Sequence, residues 1–451
     1  MISQTLTIAR NTFIEAVRQP IYFILIALSG VLTLLTTWTA AYSMDYSSSA
    51  EVSADNKLML DINLATVFVA GMLLAAFLAT AVLSKEIERK TVLTVVSKPV
   101  ARPTVVIGKY IGVSAAIVIA VTTMLLFVQL AVRHQVMSTT ADDLDGPVLT
   151  FGLLAVGIAL AVGVWCNFFY GWSFTQTSTL VLFPLLIAAY IGVLLVSKKW
   201  TLQPIGADFK PQVALASVCL LLSQLVLASI AVAVSARLGQ VMTLVILCGA
   251  FLLGLMSNYL IGRHAVVNEF FAQVDTATPE LQGMAGLQQP GDRYNLTLKL
   301  EPRIRVRPGD TVFYGASPGG FGLMVMNQQR FDGDITSPSA ISDRSKPPAL
   351  VVLSQNQRDL SIIRTGAAGP LVVRPPIQGD YLFLRPTTYN WVAVAAWTVI
   401  PNIQFFWLVD AVSQNQPIPL MHVGLVALYA AMQVGVFLCL GIILFQKREV
   451  G

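Results

Sequence analysis

Long apolar runs alternate with short polar segments along most of the chain. Eight of them cover residues 21–43, 62–83, 106–132, 148–169, 176–197, 212–234, 239–261 and 420–444. A helix of about 20 apolar residues crosses a bilayer core because it satisfies its own backbone polar groups. Each run therefore predicts a membrane-spanning helix. A ninth run, 391–409, carries Pro401, Asn402 and Gln404 in its middle, which makes a full crossing costly. The pattern before the first run is different. Ile2, Leu6, Ala9, Phe13 and Val17 recur every three or four residues, which predicts an amphipathic helix over residues 2–18. Pro20 ends it. Such a helix lies in the membrane interface or is a solvated N-terminal helix. The first run is too long for the apolar region of a cleaved signal peptide, so an uncleaved first span is expected.

Residues 262–390 read differently. Pro and Gly rise, and β-type runs appear at Tyr294–Glu301, Arg303–Arg307, Thr311–Tyr314, Ala349–Ser354, Pro370–Arg374 and Tyr381–Leu384. Leu296, Leu298 and Leu300 alternate with polar residues, as in a half-buried strand. Turn clusters such as Arg307-Pro-Gly-Asp310 and Ser317-Pro-Gly-Gly320 separate the runs. The 44–61 stretch reads as a polar loop. The expected architecture is a polytopic α-helical membrane protein of about eight transmembrane helices with an inserted β-rich extracytoplasmic domain. Its parts are an interfacial helix at 1–20, spans one to seven at 21–261, the β-rich domain at 262–390, and an amphipathic or re-entrant segment plus the last span at 391–451.

Composition agrees with the pattern. Of 451 residues, 55% are hydrophobic and only 12% are charged, about half the share in a soluble domain. That excludes an ordinary soluble enzyme, a coiled coil and a disordered chain. The net charge of +5 is too small and scattered for nucleic-acid binding. Charge gathers in two places, residues 262–390 and residues 84–110. The second holds Lys85, Arg89, Lys90, Lys98, Arg102 and Lys109. With Arg10 and Arg18 at one end and Lys447 and Arg448 at the other, this loop should be cytoplasmic, together with both termini. Eight spans satisfy that parity. Lys198 and Lys199 then fall outside, against the charge rule.

Chemistry is sparse. No GxxxxGK[ST] cradle for ATP is present, and no GxSxG or HExxH. His134, His264 and His422 are far apart in sequence. Cys166, Cys219, Cys248 and Cys439 lie in apolar runs without CxxC spacing, which fits packing rather than metal or redox work. The spans carry no mid-membrane Asp, Glu, His or Arg of the sort an ion-coupled transporter uses. The energy for any transport must come from elsewhere.

The segment from Ser84 to Lys109 is the most informative. Ile87, Val92 or Leu93, and Val96 share a helical face, with Glu86, Glu88, Arg89 and Lys90 opposite and Pro99 beyond. A short amphipathic helix of this kind docks in a partner's groove or anchors to lipid head groups. The segment resembles the loop of type-2 ATP-binding-cassette (ABC) exporter permeases. The resemblance rests on Glu86, Glu88, Thr91, Ser97-Lys98-Pro99-Val100-Ala101-Arg102 and Gly108-Lys109. It extends to the N-terminal helix, Ser235-Ala-Arg-Leu-Gly-Gln240, Ile400-Pro-Asn-Ile-Gln-Phe-Phe406, and the final span ending Leu444–Gly451.

The resemblance implies a permease subunit without ATPase activity of its own, in a cell membrane such as the bacterial inner membrane. The implied partners are a separate ATP-binding subunit and a second copy or paralogue of the permease. The chain would hold no cofactor, ATP being bound by the partner. Loop 84–105 would hold the helix that couples to the ATPase, with Glu86, Glu88, Arg89, Lys90 and Thr91 in contact. Lys98, Pro99 and Arg102 would complete the loop, with Lys98 and Arg102 tying it to head groups or the N-terminal helix. Hairpin 148–197 and domain 262–390 would be additions to a six-span core. Two other readings remain: a non-transporting scaffold whose external domain binds an envelope protein, and, less favoured, a membrane-embedded enzyme.

Overall fold

The computed structural model describes residues 2–40, 48–84, 101–137, 144–267, 269–280, 287, 289–302, 304–316, 318, 331, 333–335, 337–343, 345–346, 348–367, 375–385, 388–409, 412 and 418–446. Two compact units form: Met1–Leu255 with Pro401–Gly451, and Met256–Ile400.

The first unit is a helical bundle. Its elements are α1 (Ile2–Val17), α2 (Pro20–Thr39), α3 (Ser48–Ala79, followed by a π-turn at Thr80–Ser84), α4 (Arg102–His134), α5 (Gly146–Tyr170), α6 (Phe174–Leu195), α7 (Pro211–Ser235), α8 (Gln240–Ser257) and α10 (Leu420–Gln446). Helix α9 (Trp391–Val399) belongs to the second unit. Among the described residues, eight helices are long and apolar enough to cross a membrane, α2 to α8 and α10. Prolines at the first turn start α2, α4, α5 and α7, where a missing N–H costs nothing. Asp145 caps α5 by accepting from Val148 N at 3.2 Å. Gly171, at φ +66°, closes α5 by donating to Asn167 O while Trp172 N reaches Cys166 O.

One expectation changes. Residues 48–61, read as loop, form the first turns of α3. Their polar residues have partners there: Asn56 Oδ1 accepts from Val136 N at 3.1 Å, and Asp55 is fully buried. The ninth run does not become a span. It holds the nine-residue α9, then Pro401 and a 3-10 turn at Ile403–Phe405. Asn402 caps that turn through Gln404 N at 3.1 Å.

Contacts fix two ends of the bundle. At one end, Arg18 Nε donates to Gln176 Oε1 at 2.9 Å, Arg102 Nη1 to Gln446 O at 2.7 Å, and Arg237 Nε to Leu444 O at 3.1 Å. At the other, Met137 N donates to Thr37 O at 3.0 Å, Arg133 meets Asp145 and Asp208, and Ile418 N meets Gln212 Oε1 at 2.8 Å. The eight helices run alternately between these ends. Lys198 and Lys199 therefore sit at the end opposite Arg18, Arg102 and Arg237.

The second unit centres on a six-stranded antiparallel sheet, in the order β4 (Phe313–Gly315), β7 (Tyr381–Phe383), β2 (Phe270–Pro279), β3 (Arg293–Leu298), β6 (Asp359–Thr365) and β5 (Ala349–Asn356). A two-stranded pair, β1 (Val266–Val267) with β8 (Thr388–Tyr389), joins its two ends. Phe271, Val274, Leu296, Leu298, Val312, Leu350, Ile362 and Phe383 form the core on one face. Arg364 is buried beside it and donates to Leu287 O and to Ala367 O. Burial pushes its guanidinium pKa down, and nearby Asp292 counters the effect. The Arg307–Asp310 turn forms as expected, with Asp310 N bonded to Arg307 O at 3.0 Å and Gly309 at φ +96°. The run at 304–307 is not a strand, while Pro370–Arg374 and most of Ser317–Gly320 lie outside the described residues.

Helix α1 packs on α4, and Gly108 and Gly112 allow the approach. A Cβ at Gly112 would lie 2.5 Å from Ala9 O, and one at Gly108 2.9 Å from Ile8 Cβ. Ala9, Thr12, Ala16 and Val17 are buried, while Ile2 and Leu6 are 80% and 58% exposed. The packed face is thus rotated from the one the hydrophobic spacing marks, because small residues permit close approach where large ones do not. Gly112→Leu should destabilise the purified chain by roughly 1–3 kcal/mol through overpacking. Gly157→Leu should not, since nothing lies within 4 Å of its Cβ position. Thermal unfolding in detergent compares the two.

Candidate functional site

Loop 85–100 leaves α3 after the π-turn and returns at Ala101. Of its expected contact residues, Glu86, Glu88, Arg89, Lys90, Thr91, Lys98 and Pro99 lie outside the described residues. The two points where the loop joins the bundle are described. Lys109, 5% exposed, reaches back from α4 and donates to Val82 O in the π-turn at 2.6 Å. That bond ties the exit of α3 to the first turns of α4. An ammonium also satisfies a carbonyl left free where the helical pattern changes. Among the described residues, the hydrogen-bond partner of Arg102 lies in α10 and not in the N-terminal helix. Its guanidinium caps the C-terminal end of α10 through Gln446 O, where cations are favoured by the helix dipole. Arg237, between α7 and α8, does the same at Leu444 O.

The loop's base is thereby linked to α1 through Gly108 and Gly112, to α3 through Lys109, and to α10 through Arg102. These contacts were not legible in the sequence. Gly108 and Lys109 stood in a matched stretch, but nothing in the sequence said what they touch.

A second feature lies deeper. Helices α2, α4, α5 and α6 enclose a cavity of about 320 Å³ with almost wholly apolar walls. At the end of α4, Arg133 is nearly buried between Asp145 at 2.6 Å and Asp208 at 2.9 Å. Lys198, Lys199 and Lys210 line a cavity beside it.

Residues 6–169 match the family model described as ABC-2 family transporter protein. This stretch, about a third of the chain, is similar to that transporter family. No curated protein and no solved structure matches the chain. The ABC-2 region takes in α1, the loop with both its anchors, and α2 to α5. It includes the first helix of the hairpin expected to be an addition, and it stops before the β-rich unit. Its long apolar helices make the chain a multi-pass membrane protein, and its first third resembles a membrane component of ABC transporters.

Arg133→Ala should leave Asp145 buried without its cation. The expected loss of stability is roughly 3–5 kcal/mol. The exchange Arg133→Asp with Asp145→Arg should restore part of it. Thermal unfolding of the single and double variants reads the difference.

Proposed function

We propose that the chain is the permease subunit of an ATP-driven exporter, with a separate ATPase docking on loop 84–105. The observation that carries this reading is the anchoring of the loop. Its two ends are tied to α1, α3, α4 and α10 by Gly108, Gly112, Lys109 and Arg102, inside the region that matches the ABC-2 family. A surface loop with no mechanical role has no need of such ties. Glu86, Glu88, Arg89, Lys90 and Thr91 contact the ATPase, and closure of the nucleotide site moves the loop. Lys98 and Pro99 set its return path.

The basic residues at this end, Arg10, Arg18, Arg102 and Arg237, favour a cytoplasmic side for it and for both termini. The β-rich unit is then extracytoplasmic. Long inserted domains translocate largely regardless of charge, so its own Lys and Arg do not oppose this. Lys198 and Lys199 fall outside as well, where Asp145 and Asp208 partly offset the local charge. A second permease, identical or paralogous, completes the path.

The separate core of the Met256–Ile400 unit favours one further role. It is a folded surface for an envelope partner, and in a non-transporting scaffold that would be the main task. Transport into inverted vesicles separates the two.

Co-expression with the cognate ATPase tests the proposal. The pair should co-purify, and the permease should stimulate ATP hydrolysis. Glu88→Arg, or deletion of residues 86–92, should cut that stimulation about ten-fold, equivalent to about 1.4 kcal/mol of coupling. Full stimulation by the deleted form would remove the loop from the mechanism.

A further inference from the structure

The apolar cavity between α2, α4, α5 and α6 plays no part in the loop's anchoring. Its floor is buried, with Ile26, Leu130, Ala159 and Leu182 between 1% and 7% exposed. Its rim is not: Val31 and Leu34 of α2 and Leu153 of α5 are 53%, 40% and 60% exposed. The cavity is therefore a slot that opens sideways, toward the hydrocarbon around the helices. From Phe23 to Trp38 it follows α2 for about 22 Å, most of a bilayer core. At about 320 Å³ it is narrow for that length, which suits one alkyl chain.

Its walls hold three buried polar atoms without a hydrogen-bond partner: Thr33 Oγ1, Ser178 Oγ and His134 Nε2. Groups of this kind call for a partner that the fold does not supply. His134 is the most specific. It is 6% exposed, and its Nδ1 lies 2.9 Å from Gln135 O. An N–H there donates to that carbonyl, so Nε2, on a residue that lines the slot, is left as the acceptor of a neutral ring or the donor of a charged one. An acidic head group satisfies it in either form, with one proton shared between carboxyl and imidazole.

Charge at the same end agrees. Residues on either side of His134, namely Arg133 and Gln135, line the neighbouring cavity of about 370 Å³ with Lys198, Lys199 and Lys210. Lys198 and Lys199 sit at the tip of a turn closed by the Val196–Leu202 bridge. That turn is held against the start of α5, where Trp200 packs 6.2 Å from Phe151. The slot thus ends beside four basic side chains, opposed by Asp145 and Asp208.

We infer that the slot binds a single-chain amphiphile with an acidic head, drawn from the bilayer, its chain between α2 and α5 and its head at His134 beside the Lys198–Lys199 turn. Only its role as cargo or regulator rests on the permease reading; its binding does not.

The test uses the full chain in phosphatidylcholine nanodiscs, without ATPase. The probes are a photoreactive palmitate analogue and the matching fatty alcohol. The acid should label α2 and α5, and unlabelled palmitate should compete. Ala27→Phe and Gly152→Phe, two independent ways to fill the slot, should each cut labelling about ten-fold. Joint Lys198→Glu and Lys199→Glu should weaken labelling by the acid several-fold and leave the alcohol's nearly unchanged. Labelling spread over α8 and α10 as well, indifferent to competition, filling and charge, would mean ordinary annular lipid and overturn the inference. Because no ATPase is present, that result would leave the permease proposal standing. A failure of ATPase coupling would likewise leave slot binding untouched.

Discussion

Hydrocarbon does not solvate charge, and that constraint organises the helical unit. Its charged side chains gather toward the two ends of the bundle, where water or a partner group meets them. At one end the cations Arg18, Arg102, Lys109 and Arg237 bond to carbonyl or amide oxygens of neighbouring segments. At the other, Arg133 is shared by Asp145 and Asp208. Between the ends, small residues and hydroxyls hold the helices together. Gly71 lies against Gln224, which donates to Phe68 O at 3.1 Å, and Gly163 lies against Ser178. Helix packing in a bilayer gains little from burying apolar surface, so close approach and hydrogen bonds decide it.

The two ends therefore do different work. The first is a set of cationic ties around the base of one loop, so that α1, α3, α4 and α10 share any displacement of it. The second is an ion triad in which Arg133 and Asp145 are buried, beside a basic cavity and one end of an apolar slot. The proposed permease uses the first end to receive motion, and the bundle separates that end from the slot's end along its length.

The eight spans were legible because each is a run of about 20 apolar residues, strand β3 because its leucines alternate with polar residues, and β5 and β7 as short β-type runs between turn signals. What escaped has physical reasons. Strand β2, Phe-Phe-Ala-Gln-Val-Asp-Thr-Ala-Thr-Pro, carries Pro, Asp and two alanines, and its register shifts between Val274 and Thr276. A bulge breaks the period that sequence reading relies on. Strand β6 alternates in burial only at its start and is then buried on both faces, because Ile363 packs on the second face of the sheet with Ala349 and Val351. The start of α3 was read as loop because its polarity is that of a span's outer end. The loop was recognised from its residues, but its anchors were not. Arg102 meets a carbonyl 344 residues away, and no local pattern reports such a contact. The slot was equally hidden, since Thr33, His134 and Ser178 come together only through packing.

The account turns on which side of the membrane the loop occupies. The decisive measurement is labelling with a membrane-impermeant maleimide in a background whose four native cysteines are replaced by serine. Lys98→Cys should react only after the cells are permeabilised, and Arg358→Cys, on the turn between β5 and β6, should react in intact cells. Reaction of Lys98→Cys in intact cells would place the loop where no ATPase reaches it and contradict the mechanism at its root.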